Sequence, residues 1–116
     1  MSRGDVVLVR FPHPSGGRGK RRPAAVVQAD SYSGVVGTLV VAEITGNLSM
    51  ARDPACLFID LTTSEGQATG LTRDSVVSCL ALATVYAKAV DQTLGSLSPG
   101  MVQQLDGRLK VAMGLP

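Results

Sequence analysis

The stretch GGRGKRRPAAVV at residues 16–27 joins a cationic, glycine-rich loop to an apolar segment of strand length. Glycine lets the backbone approach a ligand closely, and arginine guanidinium groups match phosphate oxygens two hydrogen bonds at a time. An earlier segment, GDVVLVRF at residues 4–11, also has the pattern of a strand. A cationic loop between two strands is consistent with a binding site for an anionic polymer. A solubilising hairpin tip fits the same composition equally well.

The charge distribution favours an anionic partner at one face of the protein. The net charge is +2, but residues 1–22 contain six lysine and arginine residues and a single acid. Residues 23–116 contain five basic and eight acidic residues. Such a separation indicates a basic patch rather than a uniformly basic protein.

Length and composition predict one domain, residues 1–116, with one core, since 45% of the 116 residues are hydrophobic. Two cysteines and one histidine make neither a disulfide framework nor a convincing zinc site. Cys56 and Cys79 are therefore predicted to be small buried residues of a cytoplasmic protein. The apolar-rich stretch 75–87 is shorter than the roughly 20 residues of a spanning helix. No metal, cofactor or membrane association is expected.

The periodicity predicts a mainly β (α+β) fold. Strands are expected at residues 4–11, 24–29, 38–45 and 55–61, and a fifth at 75–79. Residues 81–90 fit either a short helix or a further strand. Strands in succession before a terminal helix indicate a small β-barrel of five to seven strands with a C-terminal α-helix.

The terminal helix has clear boundary signals. Ser98 is a good N-cap, Pro99 suits the first helical position and Gly114 supplies the stop. Apolar residues follow within it at helical spacings of three or four: Val102, Leu105, Leu109 and Met113.

Several familiar chemistries do not fit the sequence. Gly19-Lys20 is not a nucleotide-binding P-loop, because Pro14 replaces the first glycine and Arg21 replaces the Ser/Thr that binds magnesium. The acids are scattered among turns, which argues against a two-metal site. His13 lies between two prolines, so it is predicted to be a loop residue that contacts substrate at most.

Five blocks, in order along the chain, resemble the MazF/PemK family. They are RGDVVLV at residues 3–9, RRPAAVV at 21–27, VVAEIT at 40–45, GLTRDSVV at 70–77 and LGSLS at 94–98. Each block alone is weak, but five in sequence over nearly the whole chain are specific.

The resemblance implies an mRNA interferase toxin of a type II toxin–antitoxin system, built as a homodimer of small SH3-like barrels. Such an enzyme cuts single-stranded RNA at short sequences without metal, using the 2′-OH to give a 2′,3′-cyclic phosphate and a 5′-OH. A cognate MazE/PemI-like antitoxin would neutralise it with an acidic tail lying across the basic groove. DNA lacks the 2′-OH and is not expected to be cut.

The resemblance also assigns catalytic roles. Arg22 matches the family's catalytic arginine, and its permanent charge suits stabilisation of the phosphate. Thr45 matches a threonine whose hydroxyl could bond the scissile phosphate. Asp74 matches an acid that some members use as general base, although an ordinary turn aspartate fits too. Some members carry a glutamate in the loop before the Arg-Pro. Here residues 16–20 contain no acid, so Asp74 or a water would have to act as base.

A second group is predicted to bind RNA without taking part in the chemistry. Arg73 is placed here because it lies one position away from a second functional arginine of some members. Tyr32 is the best candidate for stacking on a base, although a core-edge tyrosine is as consistent with its position. The predicted RNA-binding residues are Arg18, Lys20, Arg21, Arg73, Ser75, His13 and Tyr32.

Two other functions remain open at this point. The same small barrel occurs in CcdB-like toxins, which poison DNA gyrase by protein contact and cut nothing, and fold alone cannot separate the two. A non-catalytic RNA-binding module is the third possibility. The Arg-Pro block and Thr45 favour the nuclease.

Overall fold

The structure is a computed structural model, and it describes residues 1–11 and 19–116. These residues form six strands, two α-helices and two short 3₁₀ turns (Asp30–Tyr32 and Ala87–Ala89). In chain order the strands and helices are β1 Asp5–Arg10, β2 Arg21–Val26, β3 Thr38–Thr45, β4 Cys56–Ile59, α1 Ser64–Ala68, β5 Ser75–Tyr86, β6 Val90–Ser96 and α2 Pro99–Met113.

All six strands belong to one antiparallel sheet in the order β4-β5-β3-β2-β1-β6. The predicted mainly β fold, its strand number and its C-terminal helix are confirmed. The predicted barrel needs a correction, because no ladder joins the edge strands β4 and β6 in the described part of the chain. The sheet is therefore open.

Both faces of the sheet carry buried apolar residues. One cluster includes Ala25, Ala42 and Ile44 and packs against α2 through Met101 and Leu105. The other face carries a second cluster, whose members are Val7, Val9, Phe11, Ala24, Val26, Leu39, Val41 and Val85. The alternation along β2 and β3 follows the two-residue period of a strand, so neighbouring residues belong to opposite clusters.

Several predicted boundaries and elements differ from the structure. Strand β2 begins at Arg21, three residues before the predicted start, because β1 continues to pair with it through Arg10↔Arg21. Residues 81–86 extend β5. Strand β6 was missed because its polar residues lack a strand pattern, and its pairing with β1 defines it. Helix α1 spans five residues, too few to show a helical period.

Helix α2 confirms the predicted boundaries. The Ser98 hydroxyl accepts a hydrogen bond from the Met101 N–H, and Gly114 ends the helix with a left-handed φ of 68°. Met113, the last of the four regularly spaced apolar residues, is exposed and lies off the inner face of the helix. Met101, one turn before Leu105, fills that inner face instead.

Both cysteines are buried and free, as expected for small core residues. Burial raises the pKa of the Cys79 thiol to about 11, and the nearby Cys56 adds to this rise. The thiol is therefore protonated at neutral pH. Within the described residues, no helix is long and apolar enough to cross a membrane.

The contact between α2 and the sheet is predicted to depend on Leu105, whose side chain is fully buried. Leu105→Ala should lower the free energy of unfolding by about 2–5 kcal/mol, because it leaves a cavity in the core. Urea denaturation at fixed protein concentration measures this. The matched control, Leu115→Ala, removes an exposed leucine and should change stability by less than about 0.5 kcal/mol. Equal effects of both variants would contradict the assigned packing.

Candidate active site

A gap in the sheet lies between β2 and β3. Their ladder contains three pairs, of which Ala24↔Glu43 is the last toward the start of β2. The next residue of β2 is Pro23, which has no N–H to donate to a neighbouring strand. Within the described chain, Pro23 pairs only with Leu8 of β1, and the end of β3 pairs only with β5. The strands therefore separate beyond Ala24.

This gap opens into a cavity of about 510 Å³, called here the cationic cleft. The start of β2, the end of β3 and the segment leading into β5 form its walls. Lining residues are Lys20, Arg21, Arg22, Pro23, Ile44, Thr45, Gly46, Leu71, Thr72, Arg73 and Ser75. Four of them are basic and none is acidic, so the described wall of the cleft suits an anionic ligand.

Arg22 and Thr45 lie on opposite sides of the gap. The two-residue period of each strand places Arg22 on the same face as Ala24, and Thr45 on the same face as Val41, both members of the second apolar cluster. The Thr45 hydroxyl accepts a hydrogen bond of 3.1 Å from the Asn47 N–H. A hydroxyl has one hydrogen of its own, so Thr45 can still donate to a phosphate oxygen.

The other cleft cations differ in their partners. Arg21 forms an ion pair of 2.7 Å with Asp91 of β6. Lys20 is exposed, and its carbonyl oxygen accepts a hydrogen bond from the Phe11 N–H. The Arg10 side chain donates a 2.6 Å hydrogen bond to the Gly19 carbonyl. These bonds hold the described end of the β1–β2 connection against the sheet at the mouth of the cleft.

Arg73 lies against the backbone of Gly46. A Cβ atom at Gly46 would overlap the Nε and Cζ atoms of the Arg73 guanidinium. Glycine at position 46 therefore leaves the space that this arginine occupies beside the end of β3. The neighbouring Ser75 is 4% exposed, and its hydroxyl donates a 2.9 Å hydrogen bond to the Arg73 carbonyl. Both contacts fix the segment that carries Arg73 into the cleft.

The structure brings most, but not all, of the predicted site residues together. Asp74 does not line the cleft, and its carboxylate accepts a 2.9 Å hydrogen bond from the Leu61 N–H. Tyr32 is exposed beyond the far end of β2, away from Arg21 and Arg22. The predicted RNA-binding residues His13 and Arg18 lie outside the described residues.

Two neighbours of the cleft escaped sequence-based prediction. One is Gly46. The other is Glu43, whose Oε2 lies 3.6 Å from the Arg22 Nε. Strand alternation was the available signal, because Glu43 stands two residues before Thr45 and so shares its face. No group of three or more His, Cys, Asp and Glu residues able to hold a metal ion is found among the described residues.

Comparison with known proteins identifies relatives over the whole chain. A family model described as "PemK-like, MazF-like toxin of type II toxin-antitoxin system" matches residues 2–113. The endoribonuclease MazF2 of Mycobacterium bovis is 31% identical over 117 aligned residues, covering 99% of this chain and 98% of the relative. The endoribonuclease MazF6 of Mycobacterium tuberculosis matches with the same identity and coverage.

Solved structures share the fold at lower identity. An endoribonuclease in complex with its cognate antitoxin, from a mycobacterial species, superposes with a TM-score of 0.80 and 18% identity. It covers 100% of this chain and 97% of its own. MazF from Deinococcus radiodurans gives a TM-score of 0.73 and 21% identity, covering 99% and 97%.

Replacing Gly46 should displace Arg73 from the cleft without unfolding the protein, because the overlapping atoms belong to a flexible side chain. We expect Gly46→Ala to weaken binding of a 2′-O-methyl RNA by about tenfold, the value of one hydrogen bond to a charged group. Fluorescence anisotropy measures the affinity.

The double variant Gly46→Ala/Arg73→Ala tests the same contact. It should bind no more weakly than Arg73→Ala alone, since both changes remove one interaction. Gly107→Ala is the matched control, because nothing lies near its Cβ position. Fully additive losses would contradict the contact.

Proposed function

Because the chain belongs to the PemK-like, MazF-like toxins of type II toxin–antitoxin systems, we propose that it is an endoribonuclease toxin neutralised by a cognate antitoxin. The observation that carries the proposal is the cationic cleft, where Arg22 and Thr45 face one gap together with Lys20 and Arg73. The endoribonuclease names of the curated relatives agree with it.

We infer that the substrate is single-stranded RNA, which carries its own nucleophile in the 2′-OH. Attack of this oxygen on the adjacent phosphorus forms the 2′,3′-cyclic phosphate and breaks the bond to the 5′ oxygen. The protein must accept one proton, supply another and stabilise the charge of the pentacoordinate phosphorus. Such a mechanism needs no metal ion.

Arg22 is proposed to stabilise the charge on the scissile phosphate. Its guanidinium stays charged at any working pH, so it serves better as an electrostatic group than as a proton donor. Thr45 would donate its hydroxyl hydrogen to a phosphate oxygen. Donors aimed at a developing charge in a partly enclosed site contribute on the order of 10²–10³-fold to the rate.

The remaining cleft cations are proposed to bind RNA. Lys20 and Arg73 are exposed in the cleft and suited to neighbouring phosphates, whereas Arg21 would first exchange its pairing with Asp91. Ser75 acts through its hydrogen bond to the Arg73 carbonyl. Binding by Arg18, His13 and Tyr32 stays a prediction. Asp74 stays a prediction as base, although its engagement with Leu61 makes it a weaker candidate.

The partner of this chain is proposed to be a MazE/PemI-like antitoxin whose acidic segment occupies the cationic cleft. A mycobacterial structural neighbour is itself in complex with its cognate antitoxin. We further propose that residues 1–116 act as one domain, that the working form is a homodimer and that it is cytoplasmic. The family match favours a nuclease over a CcdB-like gyrase-binding toxin.

The catalytic role of Arg22 is testable in EDTA with single-stranded RNA. Wild type should cut and leave 2′,3′-cyclic phosphate and 5′-OH ends, whereas Arg22→Ala should be slower by about 10²–10³-fold. Arg52→Ala, an exposed arginine outside the cleft, is the matched control and should cut normally. Undiminished cutting by Arg22→Ala would sink the site assignment. If wild-type protein left the RNA intact, the non-catalytic RNA-binding module would be the remaining interpretation.

Binding through phosphates should make RNA affinity depend on salt. For a 2′-O-methyl RNA, log K should fall linearly with log salt concentration, and Lys20→Ala should make the slope shallower by about 0.7. Lys110→Ala, exposed on α2, is the control and should leave the slope unchanged. A slope near zero for wild type would contradict phosphate recognition.

A further inference from the structure

A second, smaller cavity of about 230 Å³ adjoins the cationic cleft at Thr45, which lines both. Its other lining residues come from β3, β5 and the loop after β3: Glu43, Asn47, Ser49, Met50, Val76 and Ser78. A reacting group beside Thr45 can therefore be reached from both cavities. Two residues of a strand span about 7 Å, so the Cα atoms of Glu43 and Thr45 are about that far apart.

Glu43 is the one acid among the described residues that line either cavity. Its side chain is 24% exposed, so the carboxylate is sheltered but accessible. The other acids lie elsewhere, and most have a partner of their own. Asp91 pairs with Arg21, Glu65 with the Ser98 hydroxyl and Asp74 with the Leu61 N–H.

The contact between Glu43 and Arg22 uses one edge of the guanidinium. Glu43 Oε2 lies 3.6 Å from Nε, while Arg22 has two further nitrogens with four hydrogens. Those hydrogens can bind a phosphate while the carboxylate stays beside the same arginine. A nucleotide bound at Arg22 and Thr45 would thus place its reacting centre next to Glu43.

We propose that Glu43 is the general base of the cleavage reaction, an assignment that rests on the proposed ribonuclease function. The Glu43 carboxylate takes the proton of the 2′-OH as the O2′–P bond forms. The P–O5′ bond then breaks, and the leaving 5′ oxygen takes a proton from a water molecule in the cleft. Glu43 returns its proton to solvent, so atoms and charge balance without any other reactant.

The composition of the β1–β2 loop is consistent with a base on another element. Residues 16–20 contain no acid, so a carboxylate base must come from another element. Strand β3 supplies it from the rigid centre of the sheet, where β2 and β5 flank Glu43 through Ala24 and Ser78. A base held on a strand keeps its geometry better than one on a loop.

Glu43→Gln tests the base directly, since it keeps the shape and removes the proton acceptor. We expect kcat to fall by about 10²–10⁴-fold, with binding of a 2′-O-methyl RNA retained or tighter. The acid limb of the pH profile of kcat/KM should disappear. Glu43→Asp should keep that limb at reduced rate, and thermal denaturation of each variant checks the fold.

Two controls separate the outcomes. Glu65→Gln makes the same chemical change away from the cleft and should cut normally, and Asp74→Asn should keep its acid limb. Suppose that wild type cuts RNA and that Glu43→Gln cuts equally fast, or cuts slowly but keeps the acid limb of its pH profile. Either result overturns the assignment of Glu43 as base and leaves the proposed ribonuclease function intact. Loss of the limb in Asp74→Asn overturns it too. If wild type cuts no RNA, both proposals fail.

Discussion

The site of this protein depends on the end of the β2–β3 ladder at Ala24↔Glu43. Pro23 comes next and cannot donate a hydrogen bond, so β2 stays with β1 while β3 stays with β5. The two strands separate just where Arg22 and Thr45 lie. One missing N–H thus converts the centre of a continuous sheet into a cleft with rigid walls.

The ion pairs around this cleft give the cations different roles. Arg21 and Arg22 are neighbours in β2, but their side chains point to opposite faces, as strand geometry requires. Arg21 reaches Asp91 on the edge strand, whereas Arg22 reaches Glu43 near the sheet centre. The ion pair with Glu43 links Arg22 of β2 to β3 across the gap, which favours a fixed charge at the proposed phosphate site.

The elements predicted from sequence are those encoded by local signals. The Ser98-Pro99 start and the Gly114 end of α2 are local, and so is the strand pattern of β3 with Thr45 at its end. Arg22 was predicted as a catalytic residue from the family resemblance. Of the three residues that the matching blocks assigned to catalysis, Arg22 and Thr45 line the cleft and Asp74 does not.

What the sequence did not reveal depends on pairing between distant segments. Strand β6 is defined by its antiparallel pairing with β1. The sheet stays open because β4 and β6 do not pair in the described chain. Glu43 and Gly46 make their contacts with Arg22 and Arg73 only when the fold brings β2 and residues 71–75 beside β3. The bond from the Leu61 N–H to Asp74 crosses thirteen positions and leaves no local pattern.

A crystal structure of the protein with a short RNA carrying a 2′-O-methyl group at the cut nucleotide would test most directly whether Arg22 and Thr45 bind the scissile phosphate. We expect the scissile phosphate in the gap beside Pro23, within hydrogen-bond distance of the Arg22 guanidinium and the Thr45 hydroxyl. RNA bound with this phosphate outside the cleft, and with Arg22 and Thr45 uncontacted, would contradict it.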